Sequence, residues 1–188
     1  MAYVLANKVK QDFSASGSGA LLVDGAVATG FRGLSSVLAT NDVFRGIVSH
    51  QSVLEFQSGI WSYSAGSISL LRLGRSSTGS AMTFSAGTKT VQMGTLAEDL
   101  GWETITANAT AYPDDKLHVI GAVTITLFAS PTDGQVIAVN YLRGAAPTVN
   151  GNGKLIELGG QTDTTLTFGG FGLVFFVFDA IANYWTTR

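Results

Sequence analysis

Only 11 of the 188 residues are Lys or Arg and 13 are Asp or Glu, so charged side chains make up 13% of the chain, about half the usual ~25%. A net charge of −2, with no Lys/Arg cluster, argues against a nucleic-acid or anionic-membrane surface. With no cysteine, disulfides, thiolate catalysis and zinc–thiolate centres are excluded. So little charge leaves a monomer's surface hard to cover, and association into an oligomer is the first expectation.

The leading residues Met1–Lys8 are too polar and too few for a signal peptide. The longest apolar run, Leu173–Phe178, is far short of the ~18 residues that cross a bilayer. The expectation is a soluble chain made in the cytoplasm. The 23 glycines punctuate short β-type runs, as the turns of an all-β protein require. The best helical stretch, Leu34–Ala39, is too short to organise a fold.

In chain order, strands are predicted at Ala20–Val23, ending in the turn signal Asp24-Gly25, then at Val43–Ser49, Val53–Gln57, Ile60–Tyr63 and Ile68–Leu73. Met82–Phe84 and Thr88–Met93 close the first half. Residues Gly94–Gly101 read as a joint, giving modules of residues 1–95 and 96–188. The second half continues with strands at Glu103–Thr106, Leu117–Ile120, Ala122–Phe128, Gln135–Leu142, Lys154–Leu158, Thr164–Phe168, Leu173–Phe178 and Tyr184–Thr187.

Two of these segments say more. In Val123–Phe128, Val123, Ile125 and Leu127 alternate with Thr124, Thr126 and Phe128, the period of a half-buried strand. The insert Ser130-Pro131-Thr132-Asp133-Gly134 supplies turn residues, and Gln135–Leu142 is expected to return antiparallel as a hairpin. Leu173–Phe178, by contrast, is apolar on both faces. One face is expected in a sandwich core and the other against a neighbouring subunit. The fold class expected is all-β, with two consecutive β-rich modules, the second an antiparallel β-sandwich, assembled as a homotrimer.

The stretches Ala6-Asn7-Lys8-Val9-Lys10, Ser16-Gly17-Ser18-Gly19-Ala20, Gly25-Ala26-Val27 and Thr29-Gly30-Phe31 resemble the start of an N-terminal module of tailed-phage virion proteins. Leu71-Arg72, Ser76-Ser77, Gly79-Ser80-Ala81 and Phe84–Lys89 extend that likeness. The second half is similar to a different phage module, through Tyr112–Val119, Val123–Leu127, the Ser130–Gly134 turn, Phe178-Asp179 and Asn183-Tyr184-Trp185. Phe128 departs from that pattern, standing where a proline or small residue is expected. The resemblance implies a structural role in the particle, usually as a trimer, and supplies no catalytic residues.

Candidate chemistry is sparse. The two histidines, His50 and His118, lie among Ser, Gln, Leu and Val, without the three or four ligands of a zinc site. His50 reads as a loop residue and His118 as a solvent-facing or interface residue of a strand. No nucleophile elbow or triad can be assembled. Adjacent carboxylates such as Asp114 and Asp115 point apart in an extended chain, which suits a capped turn better than a glycosidase pair. Arg32-Gly33 and Gly151-Asn152-Gly153-Lys154 lack phosphate-loop spacing and read as hairpin turns. Trp61, Tyr63, Trp102, Tyr112, Tyr141, Tyr184 and Trp185 are open to two readings, sugar-stacking platforms or core and interface anchors. Tyr112 is the ring expected to be exposed.

The function expected is that of a non-enzymatic structural protein of a tailed-phage virion, either a capsid decoration (cement) protein or a short tail appendage. Its partners would be its own copies and the major capsid or tail proteins. It would have no catalytic, metal or cofactor site, no nucleic acid and no membrane insertion. The alternative is an adhesin for host-surface glycan. A polysaccharide depolymerase is disfavoured by the missing carboxylate pair and the lack of a long β-helical repeat.

Overall fold

The computed structural model describes residues 2–94 and 101–188. It is built almost wholly of β-strands, and the longest helical element among the described residues is one 3-10 turn, Leu34–Ser36. No helix there is long and apolar enough to cross a membrane. The chain divides into two compact units, Met1–Leu100 and Gly101–Arg188. The centre of the predicted joint, residues 95–100, lies outside the described residues.

The first unit is a six-stranded antiparallel sheet. Its strands are β1 (Lys10–Phe13), β2 (Leu21–Leu22), β3 (Val43–His50), β4 (Phe56–Ser64), β5 (Ser67–Ser76) and β6 (Lys89–Met93), in the order β1-β6-β3-β4-β5-β2. Phe13, Phe44, Val48, Trp61, Ile68 and Val91 lead its core, with Leu34 of the helical turn buried among them. The strands predicted at Val53–Gln57 and Ile60–Tyr63 are largely one strand, β4, because the β3–β4 turn takes up Val53 and Leu54. Asp24-Gly25 does not close a hairpin. Leu21 and Leu22 pair with β5, whereas Val27 bridges to Gln11 of β1, so the chain changes neighbours at that turn.

The second unit has two sheets closing on one core. The larger holds β7 (Glu103–Ile105), β9 (Lys116–Ile120), β11 (Val136–Arg143), β13 (Leu155–Leu158), β14 (Gln161–Asp163), β16 (Gly172–Asp179) and β17 (Tyr184–Thr187). The smaller holds β8 (Ala109–Thr110), β10 (Thr124–Thr126), β12 (Thr148–Asn150) and β15 (Thr165–Thr167). Ile125 and Val149 of the smaller sheet meet Leu117, Val119, Ile137, Val139, Phe176 and Trp185 of the larger.

The expected hairpin across Val123–Val139 is not formed. Strand β10 lies in the smaller sheet, parallel to β8 and β12, and β11 lies in the larger, parallel to β9 and antiparallel to β16. The Ser130–Gly134 insert therefore carries the chain from one sheet to the other. Period-two alternation sets which face a strand buries, not which strand it pairs with, so a hairpin and a crossing read alike. The corner does show in one place: Leu127 and Phe128 are both buried, breaking the alternation where the chain dives between the sheets.

Strands β7, β9 and β11 stack in parallel on one side, and β8, β10 and β12 on the other. This is a short stack of three coils, the principle of a β-solenoid. Antiparallel pairs of β11 with β16, β16 with β17, β13 with β14 and β12 with β15 complete the unit. The sandwich is thus mixed rather than antiparallel throughout. The coils differ in length, since Glu103 lies beside Leu117 and Leu117 beside Val139, and no sequence repeat marks them.

Strand β16 settles the direction of its aromatic side chains. Phe176 and Phe178 enter the core, and Phe175 is 40% exposed. Phe176→Ala is expected to destabilise the unit by roughly 3–5 kcal/mol, and Phe175→Ala, which removes a ring 40% exposed and outside the core, to lower its denaturant midpoint clearly less. Equal losses in chemical melts would refute that assignment of faces. A fragment beginning near Glu98 is expected to fold alone, with a β-type circular dichroism spectrum and a cooperative melt.

Candidate functional site

Two places in the chain gather side chains in an unusual way. The first is the loop before β6. Three side chains grip three consecutive residues of that loop. The Glu55 carboxylate accepts from Ser85 N–H at 2.9 Å and from the Ser85 hydroxyl at 3.1 Å. His50 Nε2 lies 2.9 Å from the Ala86 carbonyl, while its Nδ1 accepts from Ser52 N–H at 3.0 Å. This pairing fixes the proton on Nε2. Lys89 Nζ donates to the Gly87 carbonyl at 2.7 Å. Gly87 has φ +123°, and a Cβ there would stand 2.6 Å from His50 Nε2, so the grip requires glycine.

The electrostatics follow this geometry. The Ser85 backbone N–H holds the Glu55 carboxyl below its ordinary value of 4.5; burial opposes this, and the Ser85 hydroxyl, His50 and Lys89 act in the same direction as the N–H. Burial pushes the Lys89 ammonium below its ordinary 10.5, partly opposed by Glu55. His50 is thus a structural member of this clasp.

The second place is the outward face of the seven-stranded sheet. Register puts Leu173, Phe175 and Val177 of β16 beside Asn140, Ala138 and Val136 of β11. Leu142 extends the strip. Leu142 is 41% and Leu173 43% exposed, so three large apolar side chains, with Phe175, stand together in water. Farther along, Asn140 is beside His118 and His118 beside Thr104. The ring of Trp102 stacks on His118 at 4.5 Å between centroids.

The remaining candidates resolve as follows. Tyr112, expected to be exposed, is 8% exposed and packs on Phe128 at 5.6 Å. The reason is local: Asp115 is itself buried and accepts from Tyr112 N–H at 2.7 Å, folding the turn back over the ring. Asp114 has φ 68° and its N–H donates to the Val136 carbonyl. The pair Asp114 and Asp115 therefore forms a turn. Trp61, Tyr63, Tyr141 and Trp185 are buried, and Tyr184 is half-buried. Trp102, at 38%, is the tryptophan exposed to solvent.

Arg32 bridges to Val9, and its Nη2 donates to the Asn7 carbonyl at 2.9 Å; the segment is a loop docked on the sheet edge. Gly151–Lys154 is a tight turn, closed by Lys154 N–H on the Gly151 carbonyl. It joins β12 to β13 across the two sheets and so is not a hairpin. Among the described residues no three His, Cys, Asp or Glu side chains converge on a common point. No sequence pattern marks the clasp, because its members act on backbone atoms of a loop brought near only by the sheet.

Comparison with protein-family models, with curated proteins and with solved structures gives no match.

The clasp predicts a pH dependence. Glu55 has a depressed folded pKa, so its contribution is present above 4.5 and is lost as pH falls through the lower folded value. Thermal melts of the native chain and Glu55→Gln should differ at neutral pH and converge as the pH is taken well below 4.5. A gap that widens in acid would contradict this sign.

Proposed function

We propose that the protein is a non-enzymatic structural component of a tailed-phage virion, a trimer held together through its C-terminal unit and attached to capsid or tail as a decoration protein or short appendage. The observation that carries the self-association is the exposed apolar strip of Leu142, Leu173 and Phe175, at 40–43% exposure. Soluble monomers seldom leave large contiguous apolar patches in water, and such patches mark interaction surfaces. The strip lies on a seven-stranded sheet, a hydrogen-bonded base that loses little conformational entropy on docking. The virion setting rests on the resemblance of the two halves to phage modules. The absence of a converging acid or histidine group among the described residues is compatible with a role in which interface burial does the work.

Light scattering on the purified chain is expected to give about three times its 19.6 kDa mass. A monomer at micromolar concentration would overturn self-association. Mass-spectrometric copy counting in purified particles tests the setting: hundreds of copies fit capsid decoration, a few to tens fit the tail, and none removes the virion reading.

A further inference from the structure

Asparagine followed by glycine occurs twice in the chain, as Asn150-Gly151 and Asn152-Gly153. The pairing is chemically fragile. A glycine nitrogen has no Cβ beside it and can close on the asparagine side chain, and asparagine is itself a thermolabile residue. The fold treats the two pairs differently. Asn150 is the last residue of β12, and Gly151 after it is buried. Gly151 N–H donates to the Thr164 carbonyl at 2.9 Å, and the Lys154 carbonyl stands where a Cβ of Gly151 would go. Asn150 Oδ1 accepts from Asn152 N–H at 2.7 Å. Asn152 and Gly153 form the outer corner of the turn, with φ 54° and 83°, both positive as in a type I′ turn. Gly153 is exposed and has open space beside its Cα. Its N–H has no hydrogen-bond partner among the described residues.

We propose that Asn152 is a site of spontaneous deamidation, and that its conversion loosens the joint between the two sheets of the C-terminal unit. Hydroxide removes the proton of Gly153 N–H, and the nitrogen attacks Asn152 Cγ. A C–N bond forms and closes a succinimide ring. The Cγ–Nδ2 bond breaks, and the side-chain nitrogen leaves as ammonia with a proton taken from water. Water then opens the ring. Cleavage at Cγ leaves aspartate, and cleavage at the backbone carbonyl leaves isoaspartate, whose main chain is longer by a methylene. In either case the Gly153 nitrogen regains its proton.

The same side chain holds the fold together. Asn152 Nδ2 donates to the Leu127 carbonyl at 2.9 Å, and Leu127 N–H donates to the Asn150 carbonyl at 2.8 Å. Leu127 lies where the chain leaves the smaller sheet for the larger, and Asn152 lies in the turn that makes the same passage from β12 to β13. One amide therefore ties the two crossings together. Its bond to Leu127 must part before ammonia leaves, so the folded chain reacts more slowly than an unfolded one. After conversion a carboxylate oxygen faces the Leu127 carbonyl, so a donor is lost and two acceptors meet.

The test keeps the full chain warm at mildly alkaline pH and follows the tryptic peptide Gly144–Lys154, which holds both asparagines. Digestion at mildly acidic pH halts the reaction, and tandem mass spectrometry places each product. The folded chain should gain aspartate and isoaspartate at position 152, faster as pH rises, while Asn150 stays intact. In denaturant both asparagines should convert. Equal conversion of Asn150 in the folded chain would overturn the assignment. So would an Asn152 still intact in folded protein kept many times longer than the denatured chain needs to convert. Asn152→Asp should lower the melting midpoint of the C-terminal unit within the full chain by roughly 4–8 °C, the shift for one lost hydrogen bond in a unit of this size. A variant that melts with the native chain would overturn the loosening.

Discussion

Strand β16 is the constraint on which the C-terminal unit depends. It sits between β11 and β17 in the larger sheet, and its alternate side chains have different duties. Phe176 and Phe178 enter the core, where Phe178 meets Trp185 edge to face at 5.3 Å. Leu173, Phe175 and Val177 face the other way. Because successive side chains of a strand alternate, no local shift can bury both sets within one sandwich. A one-residue slip would exchange them and put the core rings in water. The outward strip is therefore a fixed consequence of the core, with its position set by the β11–β16 register.

The N-terminal unit is organised by polar side chains that reach backbone atoms of distant segments. Gln11 is the clearest case: its amide nitrogen donates to the carbonyls of Val23 and Gly25, and its amide oxygen accepts from Leu34 N–H at 3.0 Å. One side chain thereby holds the residues after β2 and the start of the helical turn against β1. Glu55, His50 and Lys89 do the same for the loop before β6. A buried lysine is costly unless its ammonium is bonded; Lys89 donates to the Gly87 and Ser14 carbonyls and has a nearby carboxylate in Glu55. Trp61 follows the same logic inside the core, its Nε1 donating to the Gly46 carbonyl at 3.1 Å.

The strand-rich character, most long strands and the two-faced nature of Leu173–Phe178 were legible because each depends on side-chain period, which sequence displays directly. Tyr184–Thr187 was placed to the residue. Short strands such as Thr148–Asn150 and Gln161–Asp163 escaped notice because three residues carry too little alternation to stand out from a Gly- and Thr-rich background. Pairing was not legible at all. The crossing at Ser130–Gly134 and the parallel coils depend on which distant strand is met, and the unequal coil lengths erase any repeat. Tyr112 was misplaced for a similar reason: neighbouring Pro113 and Asp114 look like an exposed loop, but Asp115 turns inward and closes the chain over the ring.

The two outer faces of the C-terminal unit separate two explanations of the low charge content. The smaller sheet turns Thr124, Thr126, Thr148, Asn150, Thr165 and Thr167 outward, around the inward row of buried Ile125 and Val149 and half-buried Leu166. Hydroxyl and amide groups hydrate that face without any charge, and threonine suits a pleated surface. Poverty of charge is thus no argument for association by itself, since a neutral face can be fully wettable. The larger sheet is built from the same pool of strand-forming residues, yet at the outward positions of β11 and β16 it has Val136, Ala138, Leu173, Phe175 and Val177, with Asn140 the one polar residue among these paired positions. The contrast lies between two faces of one folded unit with one overall composition. The inference of a partner therefore belongs to the position of Leu142, Leu173 and Phe175 on the sheet, and the whole-chain average that first suggested it carries little of the weight.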